Sequence, residues 1–260
     1  MQRNRRLASM VVVASLALAG LSACRSEPAV AAYVGDTRIT EKRVQDIWDD
    51  ARAAFTRNPA ASAPATDPET GALNAPASGT DPAALPITRA DIVNVLVSRE
   101  LLNRVAARHN VTVPADLAYD QIAGKLRLPE NAEYVRLYTQ YIALLSVVEQ
   151  SVQRPAPLTD DDLRDIYQRF GANGALDAGT TFESFRSTLP EQAVQQLQAA
   201  VTVRTEVREI AEPLDVTINP RYQPLEIGLY GIQNSQVSPI YQLVAAELGD
   251  ESAVPVTDVS

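Results

Sequence analysis

The chain has 260 residues, a mass of 28.1 kDa and a formal charge of −9, enough length for one large core or two small ones. Its pI near 4.7 argues against a nucleic-acid binder, whose phosphate contacts need clustered Lys and Arg, so no nucleic-acid partner is expected. One Cys and one His exclude an intrachain disulfide, a multi-Cys zinc site and His-rich metal clusters.

Residues 1–23 read as an export signal. Arg3, Arg5 and Arg6 form a basic head, and residues 7–21 an apolar run of 15, short of the ~20 that span a bilayer. The run ends in Leu21-Ser22-Ala23-Cys24, which resembles a bacterial lipobox and implies cleavage before Cys24 and acylation of its sulfur. The alternative is an ordinary signal peptide with an incidental Cys. Against it, the only thiol of the chain falls at this position. Two acyl chains meet the requirement that stable anchoring takes more than one lipid signal. Loss of the three Arg takes the net charge from −9 to −12, so the body would not adhere to anionic lipid by electrostatics. Residues 24–28 then form a tether too short to reach more than ~20 Å, which holds the domain close to the membrane face.

The mature chain opens with small and β-branched residues around Gly35-Asp36, the pattern of two short strands and a turn. Thr40 caps a helix with Val44, Ile47, Trp48, Ala51 and Phe55 on one face, and Trp48 is expected in the core. Residues 56–86 hold six Pro but only Leu73 and Leu85 as large apolar side chains, too little to offset ordering entropy, so a disordered insertion is expected. Thr88 and Asp91 form a capping box before a helix so apolar that it belongs at the centre of a bundle.

Pro114 suits the first turn of a helix over 115–127, and Pro129 opens a longer one to about Val152, with Tyr134, Tyr138, Tyr141 and Val148 inward. Asp160, Asp161 and Asp162 begin the next helix. They are better placed as first-turn acids favoured by the helix dipole than as a cation site, since calcium-loop spacing is absent. Shorter helices follow around Phe182 and from Pro190 to about Ala211. Residues 214–219 and 225–230 alternate as strands. The final segment, 231–260, is expected as a flexible acidic tail with a weak helical patch at 240–248. The fold class is mostly α, a helical bundle with a small β-sheet formed by N-terminal and C-terminal strands.

Three stretches carry a resemblance. Ala31-Ala-Tyr-Val-Gly-Asp-Thr-Arg-Ile-Thr-Glu41 is similar to a V-N-G-x-x-I-T opening. The helix after Thr88 leaves through His-Asn-Val-Thr-Val-Pro114, similar to A-x-x-x-G-V-x-V-S. Leu214-Asp-Val-Thr-Ile-Asn-Pro-Arg-Tyr222 is similar to a V-x-V-N-P-R strand. In this order, behind a lipobox, they resemble the N-terminal chaperone module of SurA-type periplasmic chaperones and parvulin-type foldase lipoproteins, across residues 29–230. Gln223 stands where that family usually has Gly. The family's isomerase domain has no room here, because residues 152–212 are helical in pattern and His109 cannot supply its paired histidines.

The resemblance implies a lipid-anchored extracytoplasmic protein of the cell membrane whose partners are unfolded or exported polypeptides, held without catalysis in an apolar cradle. The alternative is a scaffold lipoprotein that docks one folded envelope partner. A solute-binding lipoprotein would need two α/β lobes, and too few strands are present for that. His109 falls at a helix C-terminus, where capping accounts for it, and no Gly-x-Ser-x-Gly accompanies it. Arg221 is expected to pair with helix acids. No dinucleotide or phosphate-loop motif is present, so no cofactor, metal or catalytic residue is expected; Cys24 is the one site residue, for lipidation.

Overall fold

The computed structural model describes residues 29–57, 85–234 and 237–249. The chain enters as strand β1 (Val30–Val34) and turns back into β2 (Thr37–Thr40), paired antiparallel. Gly35 takes φ +60 at the turn, a conformation that favours a residue without a Cβ. Its N–H donates to Leu214 O at 2.9 Å, which brings the far end of the fold to the first turn. Val30, Ala31, Ala32 and Val34 are all buried, so β1 is covered on both faces.

Strand β3 (Thr217–Ile218) pairs with the free side of β1, giving the order β2-β1-β3 with Ala32 opposite Ile218. The expected sheet of N-terminal and C-terminal strands is therefore present. The Asn-Pro-Arg-Tyr segment after β3 locks it. Asn219 N–H donates to Ala31 O at 2.9 Å, and its side-chain oxygen accepts from Arg221 N–H at 3.2 Å. Tyr222 Oη donates to Glu41 Oε2 at 2.7 Å, tying the return strand to the first turn of the first helix.

Helix α1 (Glu41–Arg57) begins with Thr40 Oγ1 accepting from Arg43 N–H at 3.1 Å, the expected cap. Helix α2 (Arg89–His109) carries the complete Thr88/Asp91 capping box. It is buried nearly all round, through Ile92, Val93, Val97, Leu101, Leu102 and Val105, and packs against α1, α4, α7 and β1. That central position explains its weak amphipathicity. Helices α3 (Tyr119–Leu126), α4 (Glu133–Ser151), α5 (Asp160–Ala172), α6 (Phe182–Thr188) and α7 (Glu191–Ala211) complete the bundle among the described residues. Thr159 with Asp162, and Thr181 with Ser184, form further capping boxes.

The last element departs from expectation. Strands β4 (Leu225–Asn234) and β5 (Val237–Leu248) form an antiparallel hairpin, so residues 240–248 are strand rather than helix. The Ala, Leu and Glu there have helical propensity, but pairing with β4 overrides it. Leu243, Val244, Ala245 and Ala246 are buried in succession, which removes the alternation that marks a half-exposed strand. The segment 231–260 is thus not a tail as far as Leu248, and the folded body runs past residue 230; residues 250–260 lie outside those described. The hairpin is gripped from the bundle side. Asn94 Nδ2 on α2 donates to Glu226 O at 2.6 Å, and Tyr141 Oη on α4 donates to Gly228 O at 2.5 Å.

Two other boundaries move. Thr56 and Arg57 belong to α1, and Leu85 packs against the core, so these residues are not part of the insertion expected over 56–86; residues 58–84 lie outside those described. Helix α3 starts at Tyr119, not after Pro114. No side chain caps its start, and the segment before it stays irregular, with Pro114, Ala115 and Asp116 exposed.

Candidate functional site

Cys24, the expected lipidation site, lies outside the described residues, as does the apolar run before it. Among the described residues no helix is long and apolar enough to cross a membrane. Holding unfolded chain requires an apolar hollow larger than the ordinary patches of a monomer. Among the described residues Ile142 alone is an exposed large apolar side chain, at 37%. The apolar side chains of α2, α4 and α7 are spent on one another and on the β4–β5 hairpin. Trp48 is half-buried against the core, and the guanidinium of Arg89 lies 4.1 Å above its ring.

Most of the charged residues weighed from sequence have side-chain partners. His109 Nε2 lies 2.6 Å from Glu206 Oε2, joining the end of α2 to α7. Arg221 Nη1 is 3.8 Å from Glu41 Oε1. Of the three Asp of α5, Asp160 pairs with Arg186 at 2.8 Å, and Asp162 both closes the capping box and pairs with Arg204.

Arg204 anchors a charged cluster that sequence reasoning missed. It is 7% exposed in the middle of α7 and bridges Asp162 and Asp165 of α5. Beside it Arg169 reaches Asp165 at 3.2 Å, Glu226 at 3.4 Å and Glu247, welding α5 to both strands of the hairpin. Burial works against the Arg169 charge, but Glu226, Asp165 and Glu247 outweigh it and raise its pKa. Burial likewise opposes the Asp162 carboxylate, yet bonds from Thr159 and Arg204 hold its pKa below the ordinary value. A cavity of about 330 Å³ opens beside the cluster, and of the three arginines on its wall Arg169 and Arg204 are already engaged by carboxylates.

A second cavity, about 300 Å³, lies between α2, α4 and the segment that links α2 to α3. Val113, Pro114, Leu117 and Leu144 form its apolar walls, and Arg99, Asn103, Tyr119 and Gln140 its polar lining. Arg99 Nη2 donates to Gln140 Oε1 at 2.6 Å. Burial and the nearby Arg43 lower the pKa of Arg99, while Glu100 acts in the opposite sense. The signal for this residue was available in sequence. Arg104 has Glu100 one turn back, whereas Arg99 meets Val95, Leu96, Leu102 and Asn103 at the same spacings.

Glu149, near the end of α4, is the remaining unusual group. Loss of hydration raises its carboxyl pKa to about 7. Its charge acts on Tyr141 of the same helix and on Tyr230 of β4, raising both phenols behind the larger effect of their own burial.

Among the described residues no three His, Cys, Asp or Glu converge as a metal ion would require. The arrangement presents two cavities with guanidinium groups on their walls, and paired charges over the core. No protein-family model, no curated protein and no solved structure matches the chain.

Proposed function

We propose that this chain is a non-catalytic, lipid-anchored docking module, tethered through Cys24 to the extracytoplasmic face of the membrane and engaging one folded envelope partner. The anchor rests on the order of basic head, short apolar run, small residues and sole thiol ending at Cys24. The observation that carries docking over transient holding is the covered apolar surface, with Ile142 alone exposed among the large apolar side chains described. A folded partner is met by shape and polar pairing, whereas an unfolded chain is met chiefly by open apolar surface.

A second reading, transient holding of unfolded or exported polypeptides, has its own support. The return strand β3 lies beside β1, as the resemblance to SurA-type chaperone modules implies. Aggregation of a denatured model substrate separates the two. Docking predicts no suppression by the mature domain even in several-fold excess, while suppression near stoichiometric ratio would overturn it in favour of holding. Labelling with radioactive palmitate tests the anchor: the wild type takes up label and Cys24→Ala does not. Equal labelling would remove the lipid anchor from the proposal.

A further inference from the structure

We propose that the cavity at Arg99 is a binding site for a carboxylate carried on a short aliphatic group, with Arg99 as the ion-pairing residue and Asn103 and Gln140 beside it. Its neighbours carry the argument. Arg104 pairs with Glu100 at 2.6 Å, Arg108 with Glu209 at 3.3 Å, and Arg43 with Glu133. Arg99 instead donates to a neutral amide, and among the described residues it makes no ion pair. A half-buried guanidinium with a second cation nearby gains more from an incoming anion than an exposed one does.

The remaining lining narrows the class of anion. The guanidinium presents a fork of N–H donors that matches a carboxylate in two parallel bonds. Gln140 accepts from Arg99 through its oxygen, which leaves its amide N–H groups for a second acceptor. Val113, Pro114, Leu117 and Leu144 on the walls would be left facing water by a bare inorganic anion and are covered by an aliphatic one. The volume, about 300 Å³, is at the small end of ligand cavities and suits one aliphatic residue or a short acid. Two sources share this chemistry, the C-terminal carboxylate of a peptide and a free branched short-chain acid. The site stands apart from the docking reading, because an isolated acid binds whether or not a protein partner exists.

The test is calorimetric titration of the full chain in detergent with acetyl-leucine, acetyl-leucine amide and isovalerate. The acids are expected to bind and the amide not to. Arg99→Gln is expected to weaken acid binding about tenfold or more, the effect of losing a charge-assisted pair. Asn103→Asp supplies a carboxylate one helical turn from Arg99 and should abolish binding while leaving the circular dichroism and melting unharmed. Acetyl-leucine binding more tightly than isovalerate identifies a chain end as the source, and the reverse order a free acid. Binding of the amide as tight as that of the acid, no binding by either acid, or undiminished binding in a folded Asn103→Asp protein would overturn the site.

Discussion

Replacing Glu149 by Gln should make the protein more stable above neutral pH. The carboxyl is half-buried at the end of α4, close enough to Tyr141 and Tyr230 for its charge to act on both. Desolvation raises its pKa from 4.5 to about 7. The folded chain therefore keeps a proton across a window in which the unfolded chain has released it. Stability from this group is fully present below the unfolded value, declines as pH rises through the window and is gone above the folded value. Complete shielding would make the decline about 3 kcal/mol, and solvent access to a half-exposed carboxyl reduces it to about 1–2 kcal/mol. Asp162 does not confound the measurement, because its pKa is lowered from 3.8 and its contribution is lost only at more acid pH. Urea unfolding followed by circular dichroism, repeated between about pH 5 and about pH 8, reads the effect directly. The wild type should lose stability across that range, and Glu149→Gln should flatten the loss and exceed the wild type at the alkaline end. Parallel pH profiles for the two proteins would refute the reasoning.

Removing the guanidinium at Arg204 leaves Asp162 and Asp165 without their common partner on α7, and Arg204→Ala should cost about 3 kcal/mol in urea unfolding. A cost below about 1 kcal/mol would mean that solvent replaces the pair. Gly35→Ala forces a side chain into φ +60 and places its Cβ 3.0 Å from Leu214 Cδ2, so a loss of about 1–2 kcal/mol is expected. An unchanged midpoint would show that the β1–β2 turn is not pressed against the return strand. Tyr222→Phe removes the bond to Glu41 and should lower stability by about 1 kcal/mol, read from the same titration. A neutral result would mean that β3 is held by its strand pairing alone.

The bundle was legible wherever a local signal agreed with the tertiary outcome. The Thr88/Asp91 capping box predicted the start of α2, and its apolarity on every side predicted the central position that it occupies. The turn at Gly35-Asp36 was readable, and the strand expected over 214–219 is present but shortened to Thr217–Ile218, because Glu212–Leu214 form a 3-10 turn. Residues 240–248 were not readable as strand. Leu, Ala and Glu favour helix locally, and only the long-range partner, β4, decides otherwise. Pro114 misled in the opposite way, since a proline that could open a helix instead lies in the irregular segment that walls a cavity.

The candidate site was less visible than the fold because burial and pairing are properties of assembled elements. Arg204 and Asp162 are 42 residues apart and meet only when α5 packs near α7. Glu149 looks like an ordinary helix acid until burial in the assembled fold strips its water. Arg99 is the exception, a charge without an ion pair among the described residues, and one whose neighbours at helical spacing already show no acid.

Docking to one partner is tested most directly by a photo-crosslinking amino acid placed at Ile142, the exposed large apolar side chain among the described residues, in the full lipidated chain in living cells. The account predicts a single adduct of fixed mass in the membrane fraction, lost from that fraction in Cys24→Ala. A ladder of adducts of many masses, formed with newly exported polypeptides, would contradict it and assign the protein to client holding.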